Sequence, residues 1–113
     1  MINDTLDTIR MAREAGIPIV MGTDAGGYGH GHNAVELQYL VEAGLTPMES
    51  IVAGTKTAAE CLGMEREIGT LERGKYADLL VVDGDPLADV GMLDRQERLL
   101  LVMKGGKVVV DRR

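Results

Sequence analysis

Between Pro18 and Gly22 stand three apolar residues with no alternation, Ile19-Val20-Met21. A strand with one wet face alternates apolar and polar residues. A strand covered on both faces does not, and such strands belong to parallel sheets flanked by helices. The preceding residues fit the same plan. Asn3 or Asp4 can cap a helix, and Leu6, Ile9 and Ala12 form its apolar stripe. Gly16 offers a left-handed stop, and Pro18 prevents the helix from continuing. Residues 4 to 21 therefore read as helix, tight turn and buried strand, one step of an α/β fold.

That strand ends at Gly22-Thr23-Asp24, and a loop with five glycines between positions 22 and 32 follows, carrying both histidines, His30 and His32. In parallel α/β architectures the carboxyl ends of strands face the ligand crevice. A carboxylate there can bind a metal or take a proton from water. Asp also favours turns and helix caps for purely structural reasons. The small residues around Asp24 permit close approach of a ligand to the backbone, and long loops at strand ends tend to carry function. His30-Gly31-His32 is a weak metal clip, because three or four ligands are normally required. A solvent- or substrate-facing pair is the preferred reading. The loop has neither a Gly-Lys-Ser/Thr ending nor a Gly-x-Gly-x-x-Gly start, which excludes a nucleotide cradle.

Asn33, with Glu36 three residues on, reads as the cap of a second helix with Leu37, Leu40 and Val41 on its buried face and Gly44 at its end. Thr46-Pro47-Met48-Glu49 is a stronger start signal for a helix to about Ala53. Thr55 can cap a short helix through Leu62, stopped by Gly63. The character changes at residues 64 to 67. Leu79–Val82 reads as a strand, and Leu99–Lys104 with Lys107–Val110 flank Gly105-Gly106 as a hairpin. Asp83, Asp85 and Asp89 lack the spacing of a calcium loop and read as turn residues.

Composition narrows the function. The 113 residues contain no Phe, no Trp and three Tyr, so the core is aliphatic and the composition argues against stacking of nucleobases on aromatic platforms. A net charge of −6 without a basic stripe argues against nucleic acid as a partner. No apolar run approaches the roughly 20 residues that span a bilayer, and no signal peptide is visible. Cys61 is the one cysteine, which rules out an intrachain disulfide; within a helical stretch it reads as a buried, inert thiol. A reducing cytoplasm fits these features.

Three stretches together resemble the metal-dependent amidohydrolases, in the branch of the imidazolonepropionase-like enzymes and the Xaa-Pro or Xaa-Arg/Lys dipeptidases. They are Gly22-Thr23-Asp24-Ala25-Gly26 with His30-Gly31; Gly44-Leu45-Thr46-Pro47-Met48-Glu49-Ser50-Ile51 running into Thr57-Ala58-Ala59-Glu60-Cys61-Leu62-Gly63; and Ile68-Gly69-Thr70-Leu71-Glu72-Arg73-Gly74-Lys75-Tyr76-Ala77-Asp78-Leu79 through Pro86, closed by Val102-Met103-Lys104-Gly105-Gly106. The resemblance implies an α/β fold in which residues 1–64 are the C-terminal part of a (β/α)8 barrel and residues 65–113 are strands of a small composite β-sandwich. It implies that Asp24 ends the eighth barrel strand as metal ligand and catalytic proton carrier, beside a divalent ion, zinc. His30, His32 and Asn33 fall beside the site as substrate-binding candidates. The family's His-x-His pair on the first barrel strand, its bridging lysine or glutamate and its later histidine ligands are absent, and a full barrel takes about 250 residues. The chain is therefore expected to be a truncated, fragmentary or alternatively started piece with no metal of its own and no turnover alone. Its expected partners are an amide or dipeptide substrate in the parent enzyme and either further copies of itself or a complementing barrel fragment. Two rival readings are a non-catalytic assembly module and a small autonomous metal binder using Asp24, His30 and His32.

Overall fold

The structure, a computed structural model, describes residues 2–23 and 31–113. Helix α1 spans Ile2–Glu14. Asn3 and Asp4 thus lie inside its first turn and not at a cap, and Leu6, Ile9 and Ala12 are half-buried as expected from their spacing. Gly16 ends the helix at φ +76°, where the Ile17 amide donates to the Ala12 carbonyl at 3.0 Å. This is the left-handed stop that glycine makes without a steric cost.

The chain re-enters through a 3-10 turn, Asn33–Val35, and continues as α2, Glu36–Glu42. The expected cap at Asn33 is not formed. The His32 carbonyl accepts from the Val35 amide at 3.1 Å, so the turn starts one residue earlier and places Asn33 inside it. Helix α3, Pro47–Gly54, does start on the reciprocal cap. Thr46 Oγ1 accepts from the Glu49 amide at 3.1 Å, while Glu49 Oε1 accepts from the Thr46 amide at 2.9 Å. Helix α4, Lys56–Cys61, follows directly. Thr55 does not cap it, because its hydroxyl donates back to the Ile51 carbonyl at 2.8 Å.

Helices α1 to α3 enclose a small core. Leu40, Leu45 and Ala53 form its centre, and Ile9, Ile19 and Met21 pack against them. Ser50 is fully buried and satisfies itself by donating to the Leu37 carbonyl at 2.8 Å, which ties α3 to α2. Cys61 corrects the sequence reading, since its thiol is exposed. Ala59 is the buried residue of α4, and two residues on is about 200° around a helix, the opposite face.

Beyond α4 the three strands β1 (Leu79–Val82), β2 (Leu99–Lys104) and β3 (Lys107–Asp111) form one antiparallel sheet in that order. Leu80 pairs with Val102 and Val102 with Val110. The β2–β3 turn has both glycines at positive φ, Gly105 at +57° and Gly106 at +81°, as a two-residue hairpin requires. Asp78 Oδ1 accepts from the Gly105 amide at 2.7 Å and fixes that turn to the start of β1. Asp85 and Asp89 are turn residues as expected: each accepts from an amide two residues on, Leu87 and Gly91. Asp89 leads into a 3-10 helix, Val90–Asp94, which the sequence did not announce. Val90, Gly91 and Met92 are buried there, and the segment packs on α2 and on the 33–35 turn.

One ion pair joins α1 to α3. The Arg13 guanidinium holds both Glu49 oxygens, with contacts of 2.8 to 3.2 Å. These bonds, with the Thr46 amide, draw the Glu49 carboxyl from its ordinary 4.5 down to about 2. A depressed carboxyl contributes stability above its unfolded pKa and loses it as pH falls through the folded value. The expected outcome is an acid limb of stability between pH 4.5 and about 2 that Glu49→Gln flattens. Urea midpoints of the two proteins should differ at pH 7 and converge near pH 2. Asp111, held down to about 2 by Arg113, titrates in the same window in both proteins and so cancels from the difference.

Candidate functional site

The segment 17–23 leaves Gly16 as neither helix nor strand, so it is not the strand that its sequence suggests. A strand needs a hydrogen-bonded neighbour, and among the described residues none pairs with it. Among the described residues its one backbone hydrogen bond past Ile17 is from the Met21 amide, which donates to the Ala53 carbonyl at the end of α3 at 3.0 Å. Ile19 and Met21 face the core, and Val20 stands 39% exposed on the other side. Gly54 lets Met21 in closely; a Cβ there would meet Met21 Sδ at 3.3 Å. The segment is thereby aimed so that Gly22 and Thr23 lead into the glycine loop. Asp24 and His30 lie outside the described residues.

The loop's return leg is described. Gly31 turns at φ +93°, and a Cβ on it would come within 3.4 Å of Gln96 Nε2. His32 Nδ1 then lies 3.3 Å from Asp94 Oδ1, with the imidazole 56% exposed and the carboxylate 22%. A carboxylate on Nδ1 fixes the ring's orientation and leaves Nε2 free to face a ligand. Asn33 is exposed beside it. The structure thus brings His32 and Asn33 to one leg of the loop and adds Asp94, which sequence reading missed. No local signal could have found Asp94, because 62 positions separate it from His32.

Among the described residues no three His, Cys, Asp or Glu side chains converge as a metal site would require. The His32–Asp94 pair offers one imidazole and one carboxylate already bound to each other.

The description of the amidohydrolase family matches residues 1–109. The chain belongs to that family. Its amidohydrolase relatives include the ochratoxinase of Aspergillus niger, 36% identical over 99 residues that make up 86% of this chain and 20% of that protein. The imidazolonepropionase of Shouchella clausii is 33% identical over 104 residues, 87% of this chain and 23% of that one. Among solved amidohydrolase structures, a Xaa-Pro dipeptidase with bound methionine superposes with a TM-score of 0.84 at 40% identity, over 91% of this chain and 25% of the dipeptidase. The A. niger ochratoxinase structure gives 0.82 at 34% identity, over 94% and 25%. The chain spans about a fifth to a quarter of the length of these relatives. None of its described helices is long and apolar enough to cross a membrane.

Proposed function

We propose that this chain is the C-terminal portion of a metal-dependent amidohydrolase that cleaves an amide or dipeptide-like C–N bond with activated water. Residues 1–64 are the last strand and flanking helices of a (β/α)8 barrel, and residues 65–113 are strands of its composite β-sandwich. The observation that carries this reading is the course of residues 17–23. An apolar segment with no sheet partner among the described residues, packed on the helices through Ile19 and Met21, precedes Gly22 and Thr23, as a barrel strand separated from its neighbours would. The names of the relatives, ochratoxinase and Xaa-Pro dipeptidase among them, support hydrolysis as the reaction.

A divalent ion, zinc by family resemblance, lowers the pKa of bound water toward about 7 when it is present. This chain's own contribution is Asp24, a carboxylate at the mouth of the segment, which takes the proton of the attacking water and returns it to the leaving amine. His32, held by Asp94, and Asn33 serve the substrate side, and His30 is a further substrate-binding candidate by family resemblance. The remaining ion-holding groups come from the part of the enzyme outside this segment. The site works in the cytoplasm, where the exposed Cys61 stays reduced.

The test is a hydrolysis screen with Xaa-Pro dipeptides and N-acyl amino acids, with zinc added. The isolated chain should show no turnover and no near-stoichiometric zinc binding by calorimetry. Turnover should appear when the upstream barrel segments of a relative are supplied. Zinc-dependent hydrolysis by the isolated chain would overturn the division of labour and point to an autonomous site.

A further inference from the structure

We propose that the connection between β1 and β2 is a positioning arm for the substrate side of the site, gripping the return leg of the glycine loop at two consecutive residues. Asp94 holds His32, and Gln96 holds Gly31. The proposal rests on the hydrolase reading above, and it gives residues 65–113 a part in that site beyond their strands.

The leg needs a brace. Gly31 stands at φ +93°, a conformation that glycine enters and leaves without steric cost. Its own backbone therefore does little to set where His32 points. One contact is not enough either. His32 Nδ1 lies 3.3 Å from Asp94 Oδ1, which orients the ring against the carboxylate. The residue before it can still turn about its own φ and ψ. A second contact at position 31 removes that freedom, and Gln96 is placed to supply it. Its Nε2 stands 3.4 Å from where a Gly31 Cβ would be, so the glutamine side chain packs against the glycine.

Both grips come from a stretch that is itself fixed. Val90 and Met92 of the 3-10 helix are buried, and Met92 is only 2% exposed. Asp89 Oδ1 accepts from the Gly91 amide at 3.1 Å, and Asp89 Oδ2 pairs with Arg95 Nη1 at 3.2 Å. The helix is thereby closed onto the residue that starts it. A Cβ on Gly91 would stand 2.9 Å from Gln38 Cδ, so the bare glycine lets α2 seat directly against the arm. A second 3-10 turn, Gln96–Arg98, carries Gln96. The Arg98 carbonyl then accepts from the Asp83 amide at 2.8 Å, which ties the arm to the end of β1. Side chains of a site keep their geometry when their supports sit on packed elements of this kind. Gln96 itself is exposed, so replacing it leaves the core and the fold in place.

Backbone 15N relaxation on the chain tests the arm. In the wild type, Gly31 and His32 should show order parameters near about 0.85, the value of rigid backbone. Gln96→Ala should lower both below about 0.6, while Met92 stays rigid and the urea midpoint does not move. Gln96→Met keeps the length of the side chain without its carboxamide, and it should keep the leg rigid, because the contact is one of packing. In the enzyme assembled with the upstream barrel segments, Gln96→Ala should raise KM with little change in kcat. Combined with Asp94→Asn, the rise should be smaller than the product of the two single effects, since two grips on one leg are coupled. Low order at Gly31 and His32 in the wild type, unchanged order in Gln96→Ala, or loosening in Gln96→Met as large as in Gln96→Ala would each overturn the brace. Single effects that multiply would overturn the joint grip. Loosening with KM unchanged would uphold the brace and overturn the leg's role in binding substrate, so the two readings fail separately.

Discussion

Gly69→Ala should destabilise the chain by about 2–5 kcal/mol, lowering the urea midpoint of unfolding more than any surface substitution. Gly69 lies where the chain turns back across α4. Its φ is +100°, a conformation that alanine enters only at a cost of about 1–2 kcal/mol. The space is closed as well. A Cβ at this position would sit 2.6 Å from the Ala59 Cβ and 3.2 Å from the Thr55 carbonyl oxygen. Neither neighbour is the tip of a flexible side chain. Ala59 is buried on the inner face of α4, and the Thr55 carbonyl already accepts the Ala59 amide at 2.9 Å. Overpacking against a fixed backbone adds about 1–3 kcal/mol. Gly74→Ala separates the two causes. Gly74 has a similar φ, +92°, but nothing stands within 4 Å of its missing Cβ. That variant should lose the strain alone, about 1–2 kcal/mol. Adding Ala59→Gly to Gly69→Ala should recover part of the steric loss, a coupling of about 1 kcal/mol in a double-mutant cycle. Equal losses for Gly69→Ala and Gly74→Ala would show that α4 moves aside and that the contact does not fix it.

The elements that sequence reading found are those whose causes are local. The Thr46–Glu49 cap is complete within four residues, and it forms as read. Gly105-Gly106 supplies the two left-handed positions of a hairpin whatever surrounds it, and β2 and β3 follow. β1 has its expected limits because the hairpin provides a partner for Leu79–Val82. Ile19–Met21 carries an equally good strand pattern, yet it forms no strand. A pattern specifies which residues are to be covered, not what covers them, and no described strand lies beside it. Val90–Asp94 was missed for the converse reason: five residues of 3-10 helix are too short for a period, and only the packing on α2 buries Met92. Asn33 illustrates competition. It has the chemistry of a cap, but the His32 carbonyl closes the turn first, while the His32 side chain turns to Asp94. The candidate site divides in the same way. Gly22-Thr23-Asp24 and the histidine loop are candidates from residue type and position. The Asp94 carboxylate could not, since the 3-10 helix that delivers it exists only in the folded chain.

In an enzyme assembled from this chain and the upstream barrel segments, Asp24→Asn should lower kcat by about 10²–10⁴-fold, the range general acid–base catalysis supplies. Asparagine keeps the size and hydrogen-bonding reach of aspartate but can neither take up nor return a proton at neutral pH. If Asp24 acts by moving the proton between water and leaving amine, kcat and kcat/KM should fall together, because the lost interaction belongs to the transition state. Substitution on the return leg should differ in kind. His32 is exposed and held through Nδ1 by Asp94, which suits a group that orients substrate. Asp94→Asn and His32→Ala should therefore raise KM with a smaller effect on kcat, since uniform binding is what they remove. Steady-state kinetics on the three variants, with circular dichroism to confirm folding, separates the roles. Full turnover in Asp24→Asn would move the proton-carrying step away from this segment. A KM effect there with kcat unchanged would make Asp24 a binding group, and the chemistry would then have to come wholly from outside residues 1–113.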